Sequence, residues 1–326
     1  MKDRQGRLFR RFVAFRVLDV IADGGALRFP ALKDSARGLG GLGLLASLAG
    51  VPSPDGERAA VRPRGAGTRS ARWRWWRDGA IVTGVLAWIP GCLLLDTLAS
   101  RAEQDWLGVG TWLLLLALLI REPVRVRAQV GVVVGFASLI EYTFSGWLHV
   151  YVYRLHDVPA FVPPGHGLVY LAALTIGRAP VVLRHARGLI AATLVLAGGY
   201  AFWGLVLSGR RDVLGALWFG CLVAFLLRGR QPTVYVGAFA VVTFLELLGT
   251  HLGNWTWDVR DPVLGVVAMG NPPSVAAGGY GFFDAAALAF APRLVAAWGQ
   301  RRRAGDGHAG ATQAPAAAAV ATAGER

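Results

Sequence analysis

The sequence predicts an all-α fold, a polytopic membrane protein of about eight transmembrane helices with an internal parallel repeat. Three observations lead there. Of 326 residues, 54% are apolar and 17% charged, with a mean hydropathy of +0.45; soluble domains run at about 45–50% and about 25%. At about 20 apolar residues per span, that content suffices for eight crossings. The apolar runs also recur between short arginine-rich breaks, the rhythm of helices joined by juxtamembrane loops. This pattern excludes a soluble enzyme and a disordered chain. The net charge of +14 is accounted for by arginines at a membrane edge, drawn to anionic lipid, so no nucleic-acid partner is required.

The elements follow in chain order. Residues 1–78 form a basic N-terminal region, expected to be largely disordered, in which 7–16 mix arginines and aromatics as in a short interfacial helix. Residues 39–51 are apolar but too short to cross, and 52–70 are rich in Pro, Gly and Arg. The transmembrane bundle occupies 79–300, with spans expected near 79–99, 106–120, 129–150, 165–183, 188–208, 212–228, 233–252 and 273–298. Residues 301–326 close the chain with an Ala/Gly-rich tail, expected to be disordered. Arginines crowd alternate boundaries: Arg72, Arg74 and Arg77; Arg121, Arg125 and Arg127; Arg178, Arg184 and Arg187; Arg228 and Arg230; Arg301 to Arg303. The remaining boundaries hold only Arg101, Arg154, Arg210, Arg211 and Arg260, which predicts a multi-pass protein of the cell inner membrane with both termini cytoplasmic. Two separate cysteines, Cys92 and Cys221, make no disulfide framework.

The chain repeats itself at a period of about 105 residues, with halves near 129–182 and 233–298. Ser138-Leu139-Ile140-Glu141 is echoed by Thr243-Phe244-Leu245-Glu246. Each glutamate precedes an aromatic-x-aromatic exit, Tyr151-Val152-Tyr153 in one copy and Trp255-Thr256-Trp257 in the other. A diproline follows each exit, Pro163-Pro164 and Pro272-Pro273, and proline suits a first helical turn. The Glu-to-aromatic spacing differs by one residue between copies. A repeat with four intervening helices is parallel, which predicts both glutamates at one depth.

Acidic side chains within spans are rare because a central aspartate costs about 2.5–3.5 kcal/mol on insertion, and they default to functional readings. Glu141, Glu246 and Asp284 are such residues, whereas Asp96 lies near a span end, within snorkelling reach of the interface. Helical spacing places Glu246, Gly249, Thr250 and Gly253 on one stripe, and Glu141, Ser145 and His149 on another. Tyr280 and Asp284 share a face, as do His166 and Tyr170. Glycines beside Glu246 invite close approach of a helix or an elongated ligand, and Gly131 and Gly135 read as helix packing. The competing reading makes the polar set interhelical glue, and makes Trp147, Tyr151, Tyr153, Trp255 and Trp257 an interfacial belt. His149, His166 and His251 lack a close-spaced pair, so no metal centre is expected.

The stretch Glu246-Leu-Leu-Gly249-Thr250-His-Leu-Gly253-Asn-Trp255-Thr-Trp257 resembles a signature of the carotenoid-biosynthesis integral membrane family that includes bacterioruberin-type hydratases. It departs from that pattern in carrying tryptophans where tyrosines are usual. The resemblance implies addition of water to an isoprenoid double bond, with Glu246 or Glu141 as the acid. A carboxyl withdrawn from water favours its neutral form, the state a general acid needs. Trp255, Trp257 and Tyr153 would face the tertiary cation, and Asp284 or His251 would position water. The pocket is then expected to include His149, His166, Tyr170, Thr250, Asn254, Asn271 and Tyr280, to take a hydrophobic isoprenoid or lipid substrate, and to need no cofactor. The same parallel repeat with polar residues inside spans also fits a small transporter or lipid-binding protein. A structural membrane component is the third reading, and it tolerates loss of both glutamates.

Overall fold

The computed structural model describes residues 68–263 and 265–321, with side chains described within 75–300. The basic segment at 7–16 and the short apolar run at 39–51 lie outside the described residues. Helix α1 spans Thr68–Asp96, α2 Arg101–Leu119 and α3 Val124–Glu141, the last prolonged by a π-helical turn over Tyr142–Trp147. A short strand β1 (Tyr151–Tyr153) leads to α4 (Val162–Gly177), a single turn α5 (Pro180–Arg184) and α6 (Ala186–Phe202). A second π-helical stretch, Trp203–Leu207, ends α6. Then come α7 (Val213–Arg228), α8 (Pro232–Leu252), strand β2 (Trp255–Trp257) and α9 (Ala277–Ala321).

Among the described residues, five helical stretches are long and apolar enough to cross a membrane: Trp75–Asp96, Val124–Trp147, Ala186–Leu207, Pro232–Leu252 and Ala277–Gln300. They suit an integral membrane protein. Between one fifth and one half of each is buried against protein, leaving outward faces of Leu, Val, Phe and Trp such as Leu94, Val195 and Phe202. A solvent of lipid tails accepts those faces at no cost.

Local chemistry sets the boundaries. Ser100 and Glu103 form a reciprocal capping box at the start of α2. Asp212 caps α7 by accepting from the Gly215 amide. Ala179, preceding Pro180, is extended and breaks the expected 165–183 span into α4 and α5. Pro163 and Pro164 lie in the first turn of α4, as expected. The second diproline does not open a helix. The Ser274 amide donates instead to buried Asp212, and α9 begins only at Ala277. At its far end α9 runs to Ala321, into the stretch where composition predicts a disordered tail; alanine, the strongest helix former, prolongs it.

Helix α4 is predominantly apolar and buried on almost every side, and it forms the centre of the bundle. It packs most extensively on α8, while α3 packs most extensively on α9. Helices α1 and α2 flank α4, and α6 and α7 flank α8 and α9. Close approach uses Gly167 against Leu115, Gly237 against the Ala173 backbone and Gly278 against the Trp218 backbone. Gly131 and Gly135 do not serve this purpose; both are exposed, with nothing within 4 Å of an added Cβ.

Candidate functional site

Glu141 is the last residue of α3 and is 5% exposed. The phenols of Tyr151 and Tyr153 both donate to its Oε2 at 2.8 Å, and His166 Nε2 meets its Oε1 at 2.8 Å. Alternation in β1 explains the pair of tyrosines, because residues two apart point to one face. Burial, followed by the Glu141 charge, holds both phenols well above their ordinary value, so they remain donors.

Glu246, nearly two turns before the end of α8, has a similar arrangement with different donors. The indoles of Trp255 and Trp257 donate to its Oε2 at 3.1 and 3.3 Å, and the Tyr280 hydroxyl is directed at the same carboxyl. The one-residue difference in spacing has a local cause. The extra residue between Glu141 and Tyr151 is taken up by the π-helical turn over Tyr142–Trp147, whereas α8 stays α-helical to its end. Both chains then leave through a left-handed residue two positions before the strand, His149 with φ 53° and Gly253 with φ 77°.

The strands join the two carboxyl centres. β1 and β2 pair antiparallel, with Tyr151 opposite Trp257, Val152 opposite Thr256 and Tyr153 opposite Trp255. Tyr151 lies 4.5 Å from Trp257, and Tyr153 6.1 Å from Trp255, centroid to centroid. On the helix side the His166 ring faces Tyr280 at 5.2 Å. Glu141 and His166 both act electrostatically on Glu246. The glutamates therefore belong to one buried cluster of aromatic rings, rooted on α3, α4, α8 and α9.

Of the residues expected at the site, Glu141, Glu246, Tyr153, His166, Trp255, Trp257 and Tyr280 converge, with Asp284 and Tyr170 one helical turn deeper on α9 and α4. Five do not converge. His251 is exposed on the last turn of α8. His149 is exposed and folds its Nδ1 onto the Ser145 carbonyl, because the wider π turn rotates it off the Glu141 stripe. Thr250 bonds back to the Glu246 carbonyl of its own helix. Asn254 is buried elsewhere, donating to Asp96 Oδ2 at 2.7 Å and to the Leu93 carbonyl. Exposed Asn271 accepts from the Trp257 amide at 3.0 Å and steadies the ribbon from outside. The glycine notch beside Glu246 holds neither a helix nor a ligand. Trp255 fills it, since a Cβ on Gly249 would fall 1.9 Å from the indole.

Three further readings are corrected. Tyr151 is a direct partner of Glu141 and belongs with the site. Its burial, with that of Tyr153 and Trp255, removes these three from an interfacial belt, a role that 62%-exposed Trp147 fits. Asp96 does not snorkel; it is fully buried between Gln104 Nε2 at 2.6 Å, Asn254 and Arg154. At the opposite end of the bundle, buried Glu122 is gripped at both oxygens by Arg178, which also meets Asp78 at 2.8 Å. That group ties α4 to the segments around it and stands apart from the aromatic cluster. Among the described residues no three His, Cys, Asp or Glu side chains converge as metal ligands. No protein-family model matches the chain, and no curated protein or solved structure shows significant similarity to it.

Proposed function

We propose that this protein is an integral membrane enzyme of isoprenoid or carotenoid metabolism that protonates a double bond from a buried carboxyl, in the manner of a hydratase. The observation that carries the reading is the difference between the two carboxyls in one cluster. Indole N–H groups only donate, so Glu246 Oε2, facing Trp255 and Trp257, is committed as an acceptor. A proton on this carboxyl then resides on Oε1, available to an alkene carbon. Glu141 receives two phenols and an imidazole, donors that stabilise a carboxylate. In this reading Glu246 serves as the acid and Glu141 as the base, two carboxyls with different donor sets dividing the roles. The faces of Trp255, Trp257, Tyr151 and Tyr153 offer π-density to the tertiary cation that forms. No cofactor enters this chemistry.

The register of the ribbon supports an internal duplication within an eight-span bundle. It is symmetric about the Val152–Thr256 pair, so a two-fold rotation exchanges Tyr151 with Trp255 and Tyr153 with Trp257. The same operation exchanges the α3–α9 contact with the α4–α8 contact. The arginine asymmetry supports an orientation with both termini in the cytoplasm of an inner membrane containing anionic lipids. Glu246→Gln, expressed in a host that makes acyclic carotenoids, is expected to abolish the hydrated pigment; an unchanged pigment profile discards the assignment. Two-fold symmetry also favours a second reading, a carrier whose halves rock about the ribbon. Proton-dependent uptake into vesicles, abolished by the same substitution, would establish it in place of the enzyme.

A further inference from the structure

One turn deeper than the glutamates, α4 and α9 enclose a cavity of about 10 Å³ lined by His166, Tyr170 and Asp284 and otherwise by apolar groups such as Val133, Ala173 and Ala238. That is room for about one water molecule. His166, Tyr170 and Asp284 are 6%, 1% and 4% exposed. All three residues line this space, and each carries a buried polar atom without a hydrogen-bond partner: His166 Nδ1, the Tyr170 hydroxyl and Asp284 Oδ2. Unmatched buried polar atoms are costly, and three around one small space are seldom left so.

The donor and acceptor inventory fits a single occupant. A neutral imidazole has one N–H and one lone pair. With Nε2–H directed at Glu141 Oε1, Nδ1 is an acceptor. Asp284 Oδ2 is a second acceptor, and the Tyr170 phenol is a donor. A water molecule gives two hydrogens and takes one, which matches all three.

We propose that this cavity is the binding site of the water that is added to the substrate, and that the Glu141–His166 pair is the base that activates it. The proposal rests on the hydratase reading and assigns its second substrate. In the reaction, Glu246 gives its Oε1 proton to one carbon of the double bond, leaving a tertiary cation at the other. The water oxygen forms the C–O bond with a lone pair, and one of its O–H bonds breaks, the proton passing to His166 Nδ1. The Glu141 carboxylate, bonded to Nε2, holds the tautomer and steadies the imidazolium. The imidazolium then releases that proton to bulk water, and Glu246 takes one up before the next turnover. The sum is one alkene and one water giving one alcohol, with both side chains restored. Tyr170 and Asp284 act as positioning residues for the water.

The test uses the full chain in lipid nanodiscs and water itself as the probe. Infrared difference spectra between H2(16)O and H2(18)O are expected to show an O–H stretch from a buried water. The band should disappear in Ala173→Val, which fills the cavity, and shift in Tyr170→Phe, which keeps its volume. Identical spectra in all three proteins would overturn the site. In the pigment-producing host, Tyr170→Phe and Asp284→Asn should each lower the hydrated product by about tenfold, the loss of about one hydrogen bond to the reacting water. If the band shifts while hydration is unchanged, the water is structural and its catalytic role falls, with the hydratase reading intact. If Glu246→Gln hydrates like the wild type, that reading fails, and the spectra still decide whether the site holds water.

Discussion

Replacing Gly249 with alanine displaces Trp255 without altering a carboxyl or one of its donors. An added Cβ would lie 1.9 Å from the indole, with two more ring atoms at 2.3 and 2.4 Å. Ordinary contact begins near 3.4 Å, so the rigid ring must retreat by about 1.5 Å. Its Nε1 is already 3.1 Å from Glu246 Oε2, and a bond stretched much beyond 3.5 Å is lost. Orphaning the buried indole costs about 1–3 kcal/mol and the overpacked notch about 1–3 kcal/mol, while alanine's helix propensity returns about 1 kcal/mol. The net expectation is a loss of about 1–5 kcal/mol. Reversible unfolding in detergent, followed by tryptophan emission, measures it, and that emission should also change in the folded state as Trp255 loses its partner. Gly131→Ala and Gly135→Ala are the comparators, since nothing surrounds either position, and both should be neutral or slightly stabilising. A Gly249→Ala protein as stable as these, with native emission, would refute the close packing of Trp255 on α8.

Other expectations follow from the buried charges. Arg178→Leu removes the cation that grips both oxygens of buried Glu122 and leaves Arg77 at 3.5 Å, and should cost about 3 kcal/mol in the same unfolding measurement. Arg184→Leu, on the short α5 turn, should be near neutral. Asn254→Asp sets a second carboxyl 2.7 Å from Asp96 and should destabilise more than Asn254→Ala, because it adds like-charge repulsion to the lost hydrogen bonds; equal losses would show that the pair is wet. Asp212→Ala removes the acceptor of three backbone amides, those of Gly215, Gly270 and Ser274. Proteolysis should then open the segment at 268–274 before the helices.

Much of the cluster is legible in the sequence, because its parts sit close together along the chain. Glu141 and its tyrosines are ten and twelve residues apart, and Glu246 and its tryptophans nine and eleven. A motif that short survives as a pattern of letters. The partners missed are remote. Asp96 meets Asn254 across 158 positions and Glu122 meets Arg178 across 56, and no local periodicity announces such pairs. His149 and His251 were misplaced for other reasons. The placing of His149 follows from a helical wheel of constant pitch, which the π turn after Glu141 breaks; that of His251 follows only from the resemblance, and the regular α8 turns it outward. The span pattern was readable from hydropathy, but among the described residues five stretches meet the length and composition of a crossing on their own. Central α4 is only 16 residues long and draws its place from packing, which hydropathy does not see.

The shortness of the carboxyl-to-donor links has a consequence for biogenesis. A chain leaves the ribosome at about 5–20 residues per second, so the aromatic donors of each glutamate emerge within a second or two of it. Neither acid has to wait in the insertion machinery, bare and charged, for a distant segment to arrive. Each glutamate can enter the bilayer with its own donors already beside it, and the ribbon of β1 and β2 becomes the seam that closes afterwards.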